Sequence, residues 1–190
     1  MIVLVTGGAV SGKSAFAERY AESLGLSGIY VETAQSLDDQ TKDRIERQRC
    51  RRDERSFPWK TLEEPLRLSE RVEALDFEYN VYRGAHAVVV VDDLTVWISN
   101  VLLQWEHDEN AEALCLAQVD ALIAALRRFQ GTILLVTNEV GLRLASPAPP
   151  ARLFIEMSER MNRLAAAVSD QVVLVTAGIP VELKCREMKW

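Results

Sequence analysis

The stretch Met1-Ile2-Val3-Leu4-Val5-Thr6-Gly7-Gly8-Ala9-Val10-Ser11-Gly12-Lys13-Ser14 decides the fold. A strand-length apolar run, Ile2 to Val5, passes directly into Gly7-Gly8-Ala9-Val10-Ser11-Gly12-Lys13-Ser14, which fits G-x-x-x-x-G-K-S, and a helical run follows from Ser14. Glycines let the backbone curl so that successive N–H groups point inward, and the helix starting near Lys13 adds the positive end of its dipole to the same place. The residues Gly7, Gly8, Ala9, Val10, Ser11, Gly12, Lys13 and Ser14 are therefore expected to cradle the phosphates of ATP or GTP as substrate. Lys13 is expected to reach the β- and γ-phosphates as the catalytic cation, and Ser14 to supply a hydroxyl to Mg²⁺. A chance glycine turn with a surface lysine is the bland alternative, and the coincidence of motif, strand and helix argues against it. The chain has no G-x-G-x-x-G, which removes a dinucleotide fingerprint.

Outward from the loop, short β-rich apolar runs alternate with helical periodicity. Ile2 to Val5, Ile29 to Val31, Ala87 to Val91, Thr132 to Val136 and Val172 to Val175 read as strands, several of them apolar on both faces. Ser14 to Leu24, Leu94 to Leu103, Ala111 to Phe129 and Ala151 to Val168 carry apolar residues three and four apart, as helices packing on a sheet do. The pattern predicts an α/β fold of P-loop NTPase type, with a mostly parallel sheet flanked by helices, as a single domain over residues 1–190. Ser146-Pro147-Ala148-Pro149-Pro150 is expected to be an irregular surface connector, because its prolines lack backbone donors.

Composition narrows the partners. At 190 residues with a net charge of −6, the chain suits one compact unit and lacks a long-range attraction for nucleic acid or anionic membrane. Cys50, Cys115 and Cys185 are odd in number and far apart, with no CxxC spacing, so neither a disulfide framework nor a zinc site is expected. The opening apolar run is too short to span a membrane and meets glycines rather than a cleavage site, so a cytoplasmic protein is expected.

The second acidic element is Asp92-Asp93, at the end of the apolar run Ala87 to Val91. A carboxylate at the C-terminal end of a parallel strand faces the crevice where open α/β sheets bind ligands. Asp92 is the candidate to place magnesium with Ser14, and Asp93 is read as the cap of the helix beginning near Leu94. Asn138-Glu139 ends another strand in the same way and is left without an assigned role.

With Gly7 to Ser14, Tyr30-Val31-Glu32-Thr33-Ala34, Arg44-Ile45, Trp59 to Pro65, Asp92-Asp93-Leu94-Thr95 and Thr137-Asn138-Glu139-Val140-Gly141 in order, the chain resembles the bifunctional adenosylcobinamide kinase and adenosylcobinamide-phosphate guanylyltransferase family. Arg152, Phe154, Asn162, Leu164-Ala165 and the stretch from Gly178 to Lys184 extend the resemblance over nearly the whole chain. The phosphate loop is shared by many families, whereas Thr-Asn-Glu-Val-Gly after an apolar strand is far more specific. The resemblance implies that a nucleotide phosphorylates the aminopropanol hydroxyl of adenosylcobinamide and that GTP then supplies GMP to that phosphate. It also implies that Glu32, Thr33, Ala34, Glu63 and Asp92 join the loop in lining nucleotide sites, and that the protein is a homo-oligomer, a trimer. Taken alone, Thr33 reads as a turn residue and Glu63, in the pair Glu63-Glu64, as a surface charge.

The family passes GMP through a histidine three residues beyond an Arg-Ile pair; here that position is Gln48. An imidazole nitrogen can attack phosphorus and leave again, whereas a neutral carboxamide is a very poor nucleophile. The chain's two histidines, His86 and His107, fall elsewhere and read as loop residues. Val10 stands where the family usually has Arg, and Ile155-Glu156 and Glu159 stand where it usually reads Arg-Asp and then Gly. A short insertion precedes Trp59. Arg47, Arg49, Arg51, Arg52 and Arg55 surround Gln48, and they read equally as phosphate-pairing forks or as a solvated basic helix face.

The leading expectation is an adenosylcobinamide kinase, with magnesium, whose guanylyl transfer lacks its usual nucleophile. Two rivals stand beside it: a nucleotide-binding sensor or degenerate paralogue without cobinamide turnover, and a kinase of another small alcohol.

Overall fold

The structure is a computed structural model that describes residues 1–35, 39–81, 87–140 and 149–188. In chain order the elements are β1 (Ile2–Gly7), α1 (Lys13–Leu24), β2 (Ser27–Glu32), α2 (Asp39–Asp53), β3 (Trp59–Glu63), α3 (Leu68–Val81), β4 (Ala87–Asp92), α4 (Leu94–Gln104), α5 (Ala111–Arg128), β5 (Ile133–Val136), α6 (Pro149–Val168), β6 (Gln171–Thr176) and β7 (Ile179–Glu182). The strands form one seven-stranded sheet in the order β3-β2-β4-β5-β1-β6-β7. Every neighbouring pair is parallel except β6 with β7, which closes one edge as an antiparallel hairpin. The P-loop α/β architecture expected from the first fourteen residues is what the chain adopts.

Period-2 alternation sorts each central strand between two cores. Ile2, Leu4, Val89, Val91, Ile133 and Leu135 point to one face, where they meet Leu68 and Val72 of α3, Leu94 and Trp97 of α4, Leu122 and Leu126 of α5, and Met161 and Ala165 of α6. Val3, Val5, Val88, Val90, Leu134 and Val136 point to the other, against Ala17 and Ala21 of α1 and the ring of Tyr30. Both faces being covered is why these strands read as continuous apolar runs.

Four elements escape the periodicity reading for physical reasons. β3 is an edge strand that is only partly buried, so its sequence Trp59-Lys60-Thr61-Leu62-Glu63 has no apolar run to announce it. The helix α2 is strongly polar and attaches to the sheet through ion pairs rather than through an apolar stripe. α3 carries its buried residues among many charges, and β7 is a short exposed edge. The proline-rich connector is corrected at its end: Pro149 and Pro150 open α6, and residues 146–148 lie outside the described residues. The first turn of a helix needs no N–H from these positions, and the proline ring presets the helical φ.

Cys50, Cys115 and Cys185 are all free thiols. Among the described residues, no helix is long and apolar enough to cross a membrane.

Candidate active site in the phosphate-loop cleft

Four parallel strands deliver their C-terminal ends to one place. β1 runs into the glycine loop, β4 ends at Asp92, β5 passes into Thr137-Asn138-Glu139, and β2 ends at Glu32. The loop is held by its own backbone: Ser11 N donates to the carbonyl of Gly8 at 3.1 Å, and Gly178 N, from the turn between β6 and β7, donates to the carbonyl of Ser11 at 3.0 Å. Gly12 sits at φ 92°, in the left-handed region, immediately before α1. No side chain caps α1, which leaves the first N–H groups of the helix to an anionic ligand. Gly7 is required for space, because a Cβ there would lie 2.3 Å from the carbonyl oxygen of Val175.

Lys13 is buried, and its Nζ donates to the carbonyl of Gly8 at 3.1 Å, folded back along the loop. It shares a cleft of about 830 Å³ with Gly8, Ala9, Val10, Ser14, Asp92 and Asp93. Beyond the loop the cleft has two characters. Thr95, Asn138 and Glu139 continue the polar floor, whereas Ile45 of α2, Val140, and Ala151, Phe154 and Ile155 of α6 form an apolar flank. Glu32, Ala34 and Gln48 also line it.

The carboxylates on β4 differ in role. Asp93 is the N-cap of α4, its Oδ1 accepting from Val96 N at 2.7 Å, as read from the sequence. Its Oδ2 accepts from Asn138 Nδ2 at 3.1 Å. Burial, reinforced by the adjacent Asp92 charge, pushes the Asp93 carboxyl up to about 6, against the opposing pull of the Val96 N–H, Lys13 and Asn138. Asp92 accepts from the Tyr30 hydroxyl through Oδ2 and faces the cleft beside Ser14.

An all-oxygen set of one hydroxyl and neighbouring carboxylates suits Mg²⁺, a hard cation that keeps most of its waters. Among the described residues no group of three or more His, Cys, Asp and Glu could hold a metal alone.

The structure brings together most of the expected site residues, sets Thr33 and Glu63 apart from the cleft, and engages the carboxylate of Glu32 in ion pairs. Thr33 is wholly buried behind the cleft: its Oγ1 donates to the carbonyl of Asp93 at 2.7 Å and accepts from Asp93 N at 2.9 Å, so it fixes the backbone of β4's exit. Glu63 is largely exposed, paired with Arg49 at 2.6 Å, and does not line the cleft. Glu32 lines the cleft, but its carboxylate is taken by Arg49 at 2.5 Å and Arg52 at 2.6 Å. Glu64, the neighbour of Glu63, is buried and accepts from Arg67 N at 2.8 Å ahead of α3.

The basic run resolves into neither alternative as a whole. Arg49, Arg52 and Arg55 are drawn into carboxylates of β2, β3 and α1, whereas Arg47 and Arg51 are exposed. That clamp seats Gln48 in the cleft wall. His107 is exposed beside Glu106 at 3.2 Å and does not line the cleft, and His86 lies outside the described residues. Among the described residues, no histidine reaches the loop.

Sequence reasoning gave no role to Thr95, Asn138, Glu139 or Phe154, although all four line the cleft. Their signal was position, at or just beyond strand ends for the first three. Phe154 lies within a helical apolar stripe that looks the same whether it faces a core or a ligand.

Comparison with known proteins gives a consistent answer. The family model described as cobinamide kinase / cobinamide phosphate guanyltransferase matches residues 3–183. The chain is 36% identical to the bifunctional adenosylcobalamin biosynthesis protein CobU of Escherichia coli K12, covering 97% of this chain and 100% of that protein. It is 33% identical to the bifunctional adenosylcobalamin biosynthesis protein CobP of Pseudomonas aeruginosa, covering 95% and 96% respectively. It is 32% identical to CobU of Salmonella typhimurium, again over 97% of this chain and 100% of the relative.

Proposed function

The chain belongs to the cobinamide kinase / cobinamide phosphate guanyltransferase family, and from that membership we propose that it phosphorylates the aminopropanol hydroxyl of adenosylcobinamide with ATP or GTP. The observation that carries this reading is one cleft holding both halves of the chemistry: Lys13, Ser14 and Asp92 on a phosphate floor, and Ile45, Phe154 and Ile155 on an apolar flank. The floor takes the triphosphate, and the flank takes the apolar body of a large alcohol. In the transfer, the acceptor hydroxyl oxygen forms a bond to the γ-phosphorus as the bond to the β–γ bridging oxygen breaks, releasing the nucleoside diphosphate, and the hydroxyl proton passes to solvent.

The protein's work in this reaction is positioning and electrostatics. The loop N–H groups and the start of α1 hold the phosphates, and Lys13 stabilises charge on the transferring group. Mg²⁺, held through Ser14 and Asp92, would neutralise charge on the β- and γ-oxygens.

The second step named for the family does not run through residue 48 in this chain. Gln48 occupies the cleft wall, but its carboxamide cannot accept and release GMP. No histidine among the described residues stands in for it. The proposal is therefore a kinase in which GMP is not carried on residue 48.

Turnover with adenosylcobinamide, Mg²⁺ and either nucleotide, with corrinoid products identified by mass spectrometry, tests it. Phosphorylated adenosylcobinamide is the expected product, formed far more slowly with Lys13→Ala. No modified corrinoid from a protein that still binds nucleotide would overturn the substrate assignment.

A further inference from the structure

Behind the polar floor lies a closed circuit of hydrogen bonds whose direction is fixed by chemistry. Asn162, on α6, has one side-chain atom 3.1 Å from the carbonyl oxygen of Asn138. A carbonyl only accepts, so Asn162 presents Nδ2 there and turns Oδ1 toward Thr137. Thr137 Oγ1 then donates to Asn162 Oδ1 at 2.6 Å. A hydroxyl has one proton, so at the 3.2 Å contact between Thr95 and Thr137 the donor must be Thr95. Thr95 Oγ1 in turn accepts from Asn138 N at 2.8 Å, which returns the circuit to the residue where it began.

Each member has one arrangement that satisfies all of them, and such fully satisfied networks rigidify the groups they include. Thr95 and Thr137 are buried, so a broken link leaves a polar atom without water to replace its partner. The circuit joins three elements: the start of α4, the exit of β5 and the middle of α6. Its output is the side chain of Asn138, whose Nδ2 donates to Asp93 Oδ2 at 3.1 Å. Asp93 is otherwise fixed by Thr33, which bonds its backbone, and by Val96 N, which donates to its Oδ1.

We infer that the Thr95–Thr137–Asn162–Asn138 circuit is a positioning device for phosphoryl transfer, and that Asn162 is a positioning residue acting through Asn138 on Asp93, the residue that follows Asp92 at the end of β4. Its catalytic part rests on the proposed kinase reaction. Asn162 does not line the cleft, so its influence passes through the circuit and not through substrate.

Three variants separate this from a bulk structural role. Thr137→Val keeps the shape and removes both hydrogen bonds of the hydroxyl, Thr137→Ser keeps the hydroxyl, and Asn162→Asp places an acceptor against the Asn138 carbonyl. Thr137→Val and Asn162→Asp are expected to lower kcat for adenosylcobinamide phosphorylation ~10- to 100-fold, as small misplacements of reacting groups do. The nucleotide KM should stay within about twofold, because the phosphate loop lies outside the circuit, and Thr137→Ser should retain near-normal kcat.

A substrate-free readout accompanies this: the Asn138 side-chain amide, followed by NMR, is expected to be shifted and protected from exchange in the wild type and Thr137→Ser, and to lose both properties in the other two variants. Loss of kcat in Thr137→Ser equal to that in Thr137→Val, or a raised nucleotide KM with unchanged kcat, would overturn the positioning role. An Asn138 amide that is indifferent to all three substitutions would overturn the circuit itself. A wild type that phosphorylates no corrinoid would sink the kinase reading, while the amide signal still decides whether the circuit holds Asn138.

Discussion

The guanidinium carbon of Arg52 lies 3.7 Å from the centroid of the Tyr30 ring. This contact ties the polar helix α2 to β2 and the end of β4, because the same Tyr30 donates its hydroxyl to Asp92. Arg52 is almost wholly buried, pairs with Glu32 at 2.6 Å and lies 3.5 Å from Glu18. Burial raises the Glu18 carboxyl above its ordinary range, against the pull of Arg52 and Arg55. Burial and the facing Asp92 charge likewise hold Tyr30 well above the ordinary phenol range, so its proton stays available to Asp92.

Arg52→Ala removes the central cation of this network and leaves Glu32 and Glu18 buried without it. Breaking a buried pair from one side costs about 3–5 kcal/mol, and that loss is expected in chemical denaturation at neutral pH. A loss below about 1 kcal/mol, the range of exposed pairs, would show that α2 is not anchored by this ion cluster.

Gly7→Ala is expected to abolish nucleotide binding with the sheet still folded. The added Cβ would meet the Val175 carbonyl at 2.3 Å, so the end of β1 and the loop that follows must move away from β6. Calorimetric titration with nucleotide and circular dichroism on the same sample check this. Retained binding would mean that the loop tolerates a displacement the geometry does not permit.

Lys13→Ala is expected to reduce kcat by at least ~10²-fold, the usual scale for deleting one preorganised donor to developing charge. Lys13 is buried in the loop, so the thermal midpoint of the variant should be recorded beside the rate. A rate within tenfold of wild type would remove Lys13 from the chemistry.

Legibility of the fold tracked how each element is stabilised. The central strands β1, β4 and β5 bury both faces and announce themselves as apolar runs, and α1, α4, α5 and α6 carry readable stripes. The helix α2 could not be read that way, since arginine–carboxylate pairs hold it and those partners lie on β2, β3 and α1. At the site, Lys13 and Ser14 were legible because one contiguous motif fixes their geometry. Asn162 was not, because its partners Thr137 and Asn138 are 25 and 24 residues away in sequence. Thr33 and Glu63 came from resemblance alone; the structure puts one behind the cleft and the other at the exposed edge.

Gln48→His restores an imidazole to the cleft wall. The variant is expected to gain an acid-labile, covalently bound GMP on incubation with GTP and Mg²⁺, a phosphoramidate being stable in base and labile in acid. Mass spectrometry of the intact protein reads the adduct. Absence of any adduct would count against a loss confined to residue 48, in a cleft that Val10 and Ile155 also line.

The most direct test of the central claim uses GTP labelled separately at the α- and γ-phosphates, with wild-type protein, Mg²⁺ and adenosylcobinamide. The γ-label is expected to move to the corrinoid, and the α-label never to become bound to the protein. An α-labelled protein would contradict the account, because it would place a GMP-accepting nucleophile in a chain whose residue 48 is a carboxamide.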